Sequence, residues 1–343
     1  MTPEHVTPEA LTPRSLAPEP MTPAQRAAVR LVASARTAHE LFGDDDPGRE
    51  YRRLARLVHP DLVAPADRAA ATEAFTRLTG LWRSRTGISI RTRHGEYRIG
   101  AVAHQGDLAN LYDVGTGLLK LAREPVHNGF LAREAWALRT LAGRGDPRYL
   151  PYVPRLVESF RHRAEGTGVE RRANVVATTL GGLHSLVEVR RAYPDGVDPR
   201  DAAWMMRRLL VALGLAHRAG VMHDAVVPDH VLIHPGEHGL VLVDWCYAVP
   251  PGEPVPAVLD RYREWYPDEA TTMTGPGTDI AMAAQCLTYL TAGRIPDPLR
   301  AFADGCRLPR LRQRPDDAWR LLAEFDEVLG RLYGPRTFRP FRL

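Results

Sequence analysis

The hydrophobic pattern of the chain changes character three times. The stretch from about residue 25 to 84 carries apolar residues at helical spacing. "AQRAAVRLVASARTAHELFG" reads as one helix stopped by Gly43, and "GREYRRLARLV" as a second with Tyr51, Leu54, Leu57 and Val58 on one face. A third, in "APADRAAATEAFTRLTGLW", aligns Ala71, Phe75, Leu78 and Trp82. The alternation Ile88, Ile90 in "RTGISIRTRHG" marks residues 85–95 as a linker passing into a strand. Short strands are then expected at 96–101, 107–113 and 117–122, with turns at "HQG" and "VGTG". After them comes a helix with Leu131, Ala135, Leu138 and Leu141 inward. The remainder mixes a buried strand at Val175 to Thr178, a long helix in "DAAWMMRRLLVALGLAHRAG", and an almost wholly apolar helix in "GTDIAMAAQCLTYLTAG".

Before all of this, residues 1–24 repeat Thr-Pro and Ala-Pro with few large apolar residues, which predicts a disordered tail. The net charge of +4 is spread along the sequence and gives no footing for nucleic acid or an anionic membrane as partner. No apolar run approaches the roughly 18 residues of a membrane span, and the N-terminus lacks a signal-peptide layout. Cys246, Cys286 and Cys306 have neither disulfide-framework nor zinc spacing. The expectation is a cytoplasmic protein.

One residue changes the picture. Of 45 basic residues, Lys120 in "GTGLLKLAREP" is the sole lysine. An arginine-biased chain that keeps one compact ammonium has a use for it that a planar guanidinium cannot serve.

The tripeptide "HPD" between two amphipathic helices resembles the J-domain, the module that stimulates ATP hydrolysis by DnaK-type chaperones. The resemblance covers roughly residues 36–84. It implies that His59, Pro60 and Asp61 form the docking loop, and that Arg52, Arg53 and Arg56, with Arg49 on the same face, meet the chaperone.

From residue 96 to 343 the chain resembles the protein-kinase fold. In that family a lysine on the third strand holds nucleotide phosphates and pairs with a glutamate on the next helix. The matching residues are Lys120 and Glu134, with Gly106 the one glycine of the "AHQGDLANLY" turn. "VMHDAVVPDHVLIHPGEHGLVLVDW" resembles the catalytic loop and metal-binding strand. Anchored on His223, it puts Ala225 where the catalytic aspartate belongs and His230 where a metal-binding asparagine belongs. Asp244 matches the metal-binding aspartate, and Asp224 lies one residue before the catalytic position. Glu269 and Arg314 match a structural ion pair of the family. Between Asp244 and Glu269 there is no serine or threonine to phosphorylate.

The expected architecture is α+β: a three-helix J-domain at 25–84, a linker at 85–95, and a bilobal kinase-like domain at 96–343. The resemblance implies ATP and magnesium as cofactors, with Asp244 and His230 toward the metal. The expected function is a J-domain co-chaperone fused to a nucleotide-binding pseudokinase, bringing a DnaK-type chaperone to a client. The alternative is an atypical Ser/Thr protein kinase, or another ATP-dependent phosphotransferase with a non-standard catalytic loop, working through Asp224 or without a base.

Overall fold

The computed structural model describes residues 21–343 except 36, 44, 87, 101, 116 and 164–167, and for 83–86 and 88 the backbone alone. Most of the expected tail thus lies outside the described residues. The chain divides into two compact units, Met1–Ala101 and Val102–Leu343.

In the first unit, α1 (Pro23–Ser34) starts inside the stretch expected to be tail. Thr22 and Gln25 form a capping box, and Met21 is buried. The single helix expected up to Gly43 is instead broken. Ala35 turns extended, and α2 (Ala38–Phe42) begins with its own capping box, Thr37 and Glu40. Local capping of a second start outcompetes continuation of the first helix. Gly43 closes α2 at positive φ, as expected of a terminator.

Asp46 and Pro47 open α3 (Pro47–Leu57). His59-Pro60-Asp61 forms the turn into α4 (Arg68–Thr86). Val32, Leu41, Phe42, Leu54, Val58 and Leu78 make the core of these helices, with Tyr51 stacked on Trp82 at 4.6 Å. Next comes a hairpin, β1 (Ile88–Arg91) and β2 (Glu96–Ile99), closed by the amide of Thr92 donating to the Gly95 carbonyl. Residues 96–99 were expected to be the first strand of the kinase-like sheet. They pair instead with β1, because the register Ile90 to Tyr97 buries both residues.

The second unit opens with β3 (Val102–Gln105), β4 (Ala109–Asp113) and β5 (Leu118–Ala122), then α5 (Asn128–Arg144), β6 (Arg155–Arg163) and β7 (Glu170–Ala177). Among the described residues the sheet order is β3-β4-β5-β7-β6, all antiparallel, so β5 sits at its centre. Leu131, Ala135, Leu138 and Leu141 of α5 are buried, as their spacing predicts.

The second lobe is helical. A short strand β8 (His184–Ser185) leads through α6 (Leu186–Ala192) to α7 (Pro199–Ala219), ended by Gly220 in the left-handed region. Then come β9 (Val231–His234) and β10 (Gly239–Leu242), α8 (Pro276–Leu290), α9 (Asp297–Cys306) and α10 (Ala318–Tyr333). α8 is buried on nearly every face and packs on α7, α9 and the loop before β9. Arg314 is buried, with its guanidinium 2.7 Å from Glu269 and donating to the Leu308 and Pro309 carbonyls. The three cysteines are buried and free. No described helix is long and apolar enough to cross a membrane.

Candidate nucleotide site

Lys120 is placed by the pleat of β5. Its cross-strand partners are Leu111 on β4 and Asn174 on β7, and its side chain points to the face covered by α5. There the ammonium lies 2.7 Å from Glu134 Oε1, 2.6 Å from Asp244 Oδ1 and 3.5 Å from Cys246 Sγ. Only 7% of Lys120 is exposed. Asn174, fully buried, donates to Glu134 Oε2 and to the Leu131 carbonyl, which fixes the glutamate's rotamer. Burial opposes charge on Lys120, but Asp244, the Cys246 sulfur and Glu134 more than offset it, and the ammonium's pKa stands well above the usual lysine value. Glu134, Asp244 and Cys246 have ligand atoms within 4.8 Å of one another, and the lysine ammonium bonds to all three.

Asp244 sits just after β10 with φ 63°, a left-handed conformation that an L-residue adopts only when its surroundings hold it. Its second oxygen, Oδ2, faces His230 Nε2 at 3.2 Å. Burial would raise its pKa, yet Lys120 and His230 hold it well below the usual carboxylate value. The other ring nitrogen of His230, Nδ1, meets the Ala225 carbonyl at 2.8 Å.

Magnesium prefers near-octahedral oxygen ligation at about 2.0–2.1 Å. At the two positions the resemblance assigned to metal, the chain presents one carboxylate, each of whose oxygens already faces a nitrogen of the chain, and one imidazole, both of whose nitrogens are engaged. That donor set does not match magnesium's preference.

The loop before β9 departs from the expectation for Asp224. The residue has φ 56° and is fully buried, with Oδ2 accepting from the Thr274 hydroxyl and its amide donating to Asp279. Its Oδ1 has no partner among the described residues. Burial, then the neighbouring Asp279, push its pKa well above the usual value. Asp224 is therefore built into the base of α8 and does not join the cluster around Lys120.

Ala225 packs among Ala109, Leu131, Cys246 and Tyr247, with Leu108 and Leu259 against them. The position that the resemblance assigns to a catalytic base is thus an apolar contact. His223 is neutral: Nε2 donates to the Val243 carbonyl, Nδ1 accepts from the Ala225 amide, and burial lowers its pKa to about 4. Gly106 closes the β3–β4 turn, its amide donating to the Ala109 carbonyl at 3.0 Å. The Arg123 guanidinium reaches its carbonyl at 3.3 Å.

Lys120, Glu134, Asp244 and His230 are therefore brought together, and Asp224 is not. The sequence reading missed Asn174, although a lone amide in the otherwise apolar run "ANVVA" is a signal, and it missed Thr274 as the partner of Asp224.

No protein-family model matches the chain. A segment of 59 residues is 41% identical to casein kinase II subunit alpha' of Saccharomyces cerevisiae, and it spans 17% of this chain and 17% of that relative. Among solved structures, vaccinia related kinase 3 superposes with a TM-score of 0.55 at 15% identity, over 72% of this chain and 91% of that one. With a sheet-rich lobe, a helical lobe and the lysine–glutamate pair between β5 and α5, the chain carries a protein-kinase-like fold.

Proposed function

We propose that the second unit is a nucleotide-binding pseudokinase, with Lys120 at the phosphate end of the site. The single observation that carries this reading is the buried Lys120–Glu134–Asp244 cluster beside an apolar Ala225. The cluster supports phosphate binding by a fixed ammonium. An alanine packed among Leu131 and Tyr247 cannot accept a hydroxyl proton, and a positioned general base is worth roughly 10²–10⁴ in rate.

The test is thermal unfolding of the purified chain with ATP. At a ligand concentration of about 100 times Kd, stabilisation is about 2.7 kcal/mol, or roughly 5–10 °C for a unit of this size. The shift should shrink to near zero in Lys120→Met. Absence of any shift in the wild type defeats the reading. Transfer of labelled phosphate to protein by the wild type, lost in Asp244→Ala, would replace it with the phosphotransferase alternative.

A second reading concerns the first unit alone: a J-domain that recruits a DnaK-type chaperone to a client. It is supported by the placement of His59-Pro60-Asp61 at the turn between α3 and α4, with Arg49, Arg52, Arg53 and Arg56 exposed on α3. His59 Nδ1 accepts from the Asp61 amide, and its ring packs edge-on against Phe75, so the turn has a defined shape. His59→Gln should abolish stimulation of the chaperone's ATPase. Stimulation unchanged by that substitution, or none by the wild type, rules this reading out.

A further inference from the structure

His230 stands where the kinase-like fold would place an oxygen ligand for a divalent cation, and its hydrogen bonds say what it does there. The Ala225 carbonyl opposite Nδ1 can only accept a hydrogen bond. The carboxylate opposite Nε2 is held ionised by the ammonium of Lys120 at 2.6 Å, so it too can only accept. Both ring nitrogens are therefore already occupied by groups of the chain. The ring cannot easily leave: its side chain is 12% exposed, and it lies against the Tyr247 ring at an interplanar angle of 24°. A cation about 2.1 Å from Asp244 Oδ2 on the His230 side would fall inside the 3.2 Å gap already spanned by Nε2.

We propose that this site takes a nucleoside polyphosphate free of divalent metal, with the His230 ring filling the place beside Asp244 that a metal ion would otherwise take. The proposal rests on the nucleotide-binding reading above. It is narrower, because it concerns the ionic form of the ligand. The arrangement leaves Asp244 flanked by Lys120 on one oxygen and His230 on the other, two nitrogen groups fixed by the chain. Neither requires an ion from solution. Magnesium entering at this oxygen would have to displace the His230 contact and turn a packed ring.

The experiment is calorimetric titration of the full chain with ATP, once in excess EDTA and once in excess magnesium. Wild-type affinity in EDTA should equal or exceed that in magnesium, within about threefold. His230→Asn, which offers an amide oxygen in place of the ring nitrogen, should bind about tenfold or more tightly with magnesium than without it. Wild-type binding that is tenfold or more weaker in EDTA overturns the proposal and leaves the nucleotide reading standing. Absence of binding in both media overturns the two together. The wild-type comparison decides the matter by itself if the variant does not fold.

Discussion

Lys120→Ala should lower the unfolding free energy of the second unit by about 3–5 kcal/mol, the cost of removing one partner from a buried ion pair. The substitution leaves Glu134, 3% exposed in its side chain, and the inner oxygen of Asp244 without their cation. Glu134 cannot recruit water easily at that depth, whereas Asp244, 27% exposed in its side chain, can do so in part. Urea unfolding of wild type and variant, followed by a signal confined to the second unit, measures the loss. Lys120→Arg keeps the charge yet should still cost stability. A planar fork cannot place one nitrogen within hydrogen-bond distance of Glu134, Asp244 and Cys246 together. A loss below about 1 kcal/mol, the range of an exposed pair, would mean that the cluster is solvated. Replacing Lys120 and Glu134 together by apolar residues should recover part of the loss, since the unpaired charge and not the missing contact dominates it.

Asp279→Ala should be comparably damaging, at about 2–6 kcal/mol, for a different reason. This fully buried carboxylate accepts from the backbone amides of His223 and Asp224 at 2.8 Å each and lies 3.0 Å from His217 Nε2. Its removal strands two buried amides, each worth about 1–3 kcal/mol when left unpaired. It also releases the only side-chain acceptor for the left-handed Asp224 amide among the described residues. Amide hydrogen exchange at His223 and Asp224 should accelerate together with the fall in stability. Exchange that stays slow at both amides would show that another group supports the loop.

How much of this was legible beforehand follows from whether the signal is local. The α5 stripe and the turn of α7 at Gly220 repeat every three or four residues or depend on one special conformation, so the pattern alone places them. The pairing of residues 96–99 with 88–91 is a choice between two sheets, and strand alternation is the same for either partner. The break between α1 and α2 was readable from Thr37 and Glu40 but was masked by a continuous apolar period. In the site, Lys120 and Glu134 lie 14 residues apart and Asp244 a further 110 along, yet the resemblance aligned all three. The fate of Asp224 was not legible, because it depends on Thr274 and Asp279 arriving from α8 and the segment before it.

The burial of Lys120 also determines how the chain meets chemistry from outside. Its side-chain amines number one, and that one is held by two carboxylates and a sulfur beneath α5. The exterior therefore has no lysine for acylating reagents to find. Any electrophile that does modify Lys120 has waited for the cluster to come apart, which makes acylation of this single amine a clock for the opening of the lobe interface.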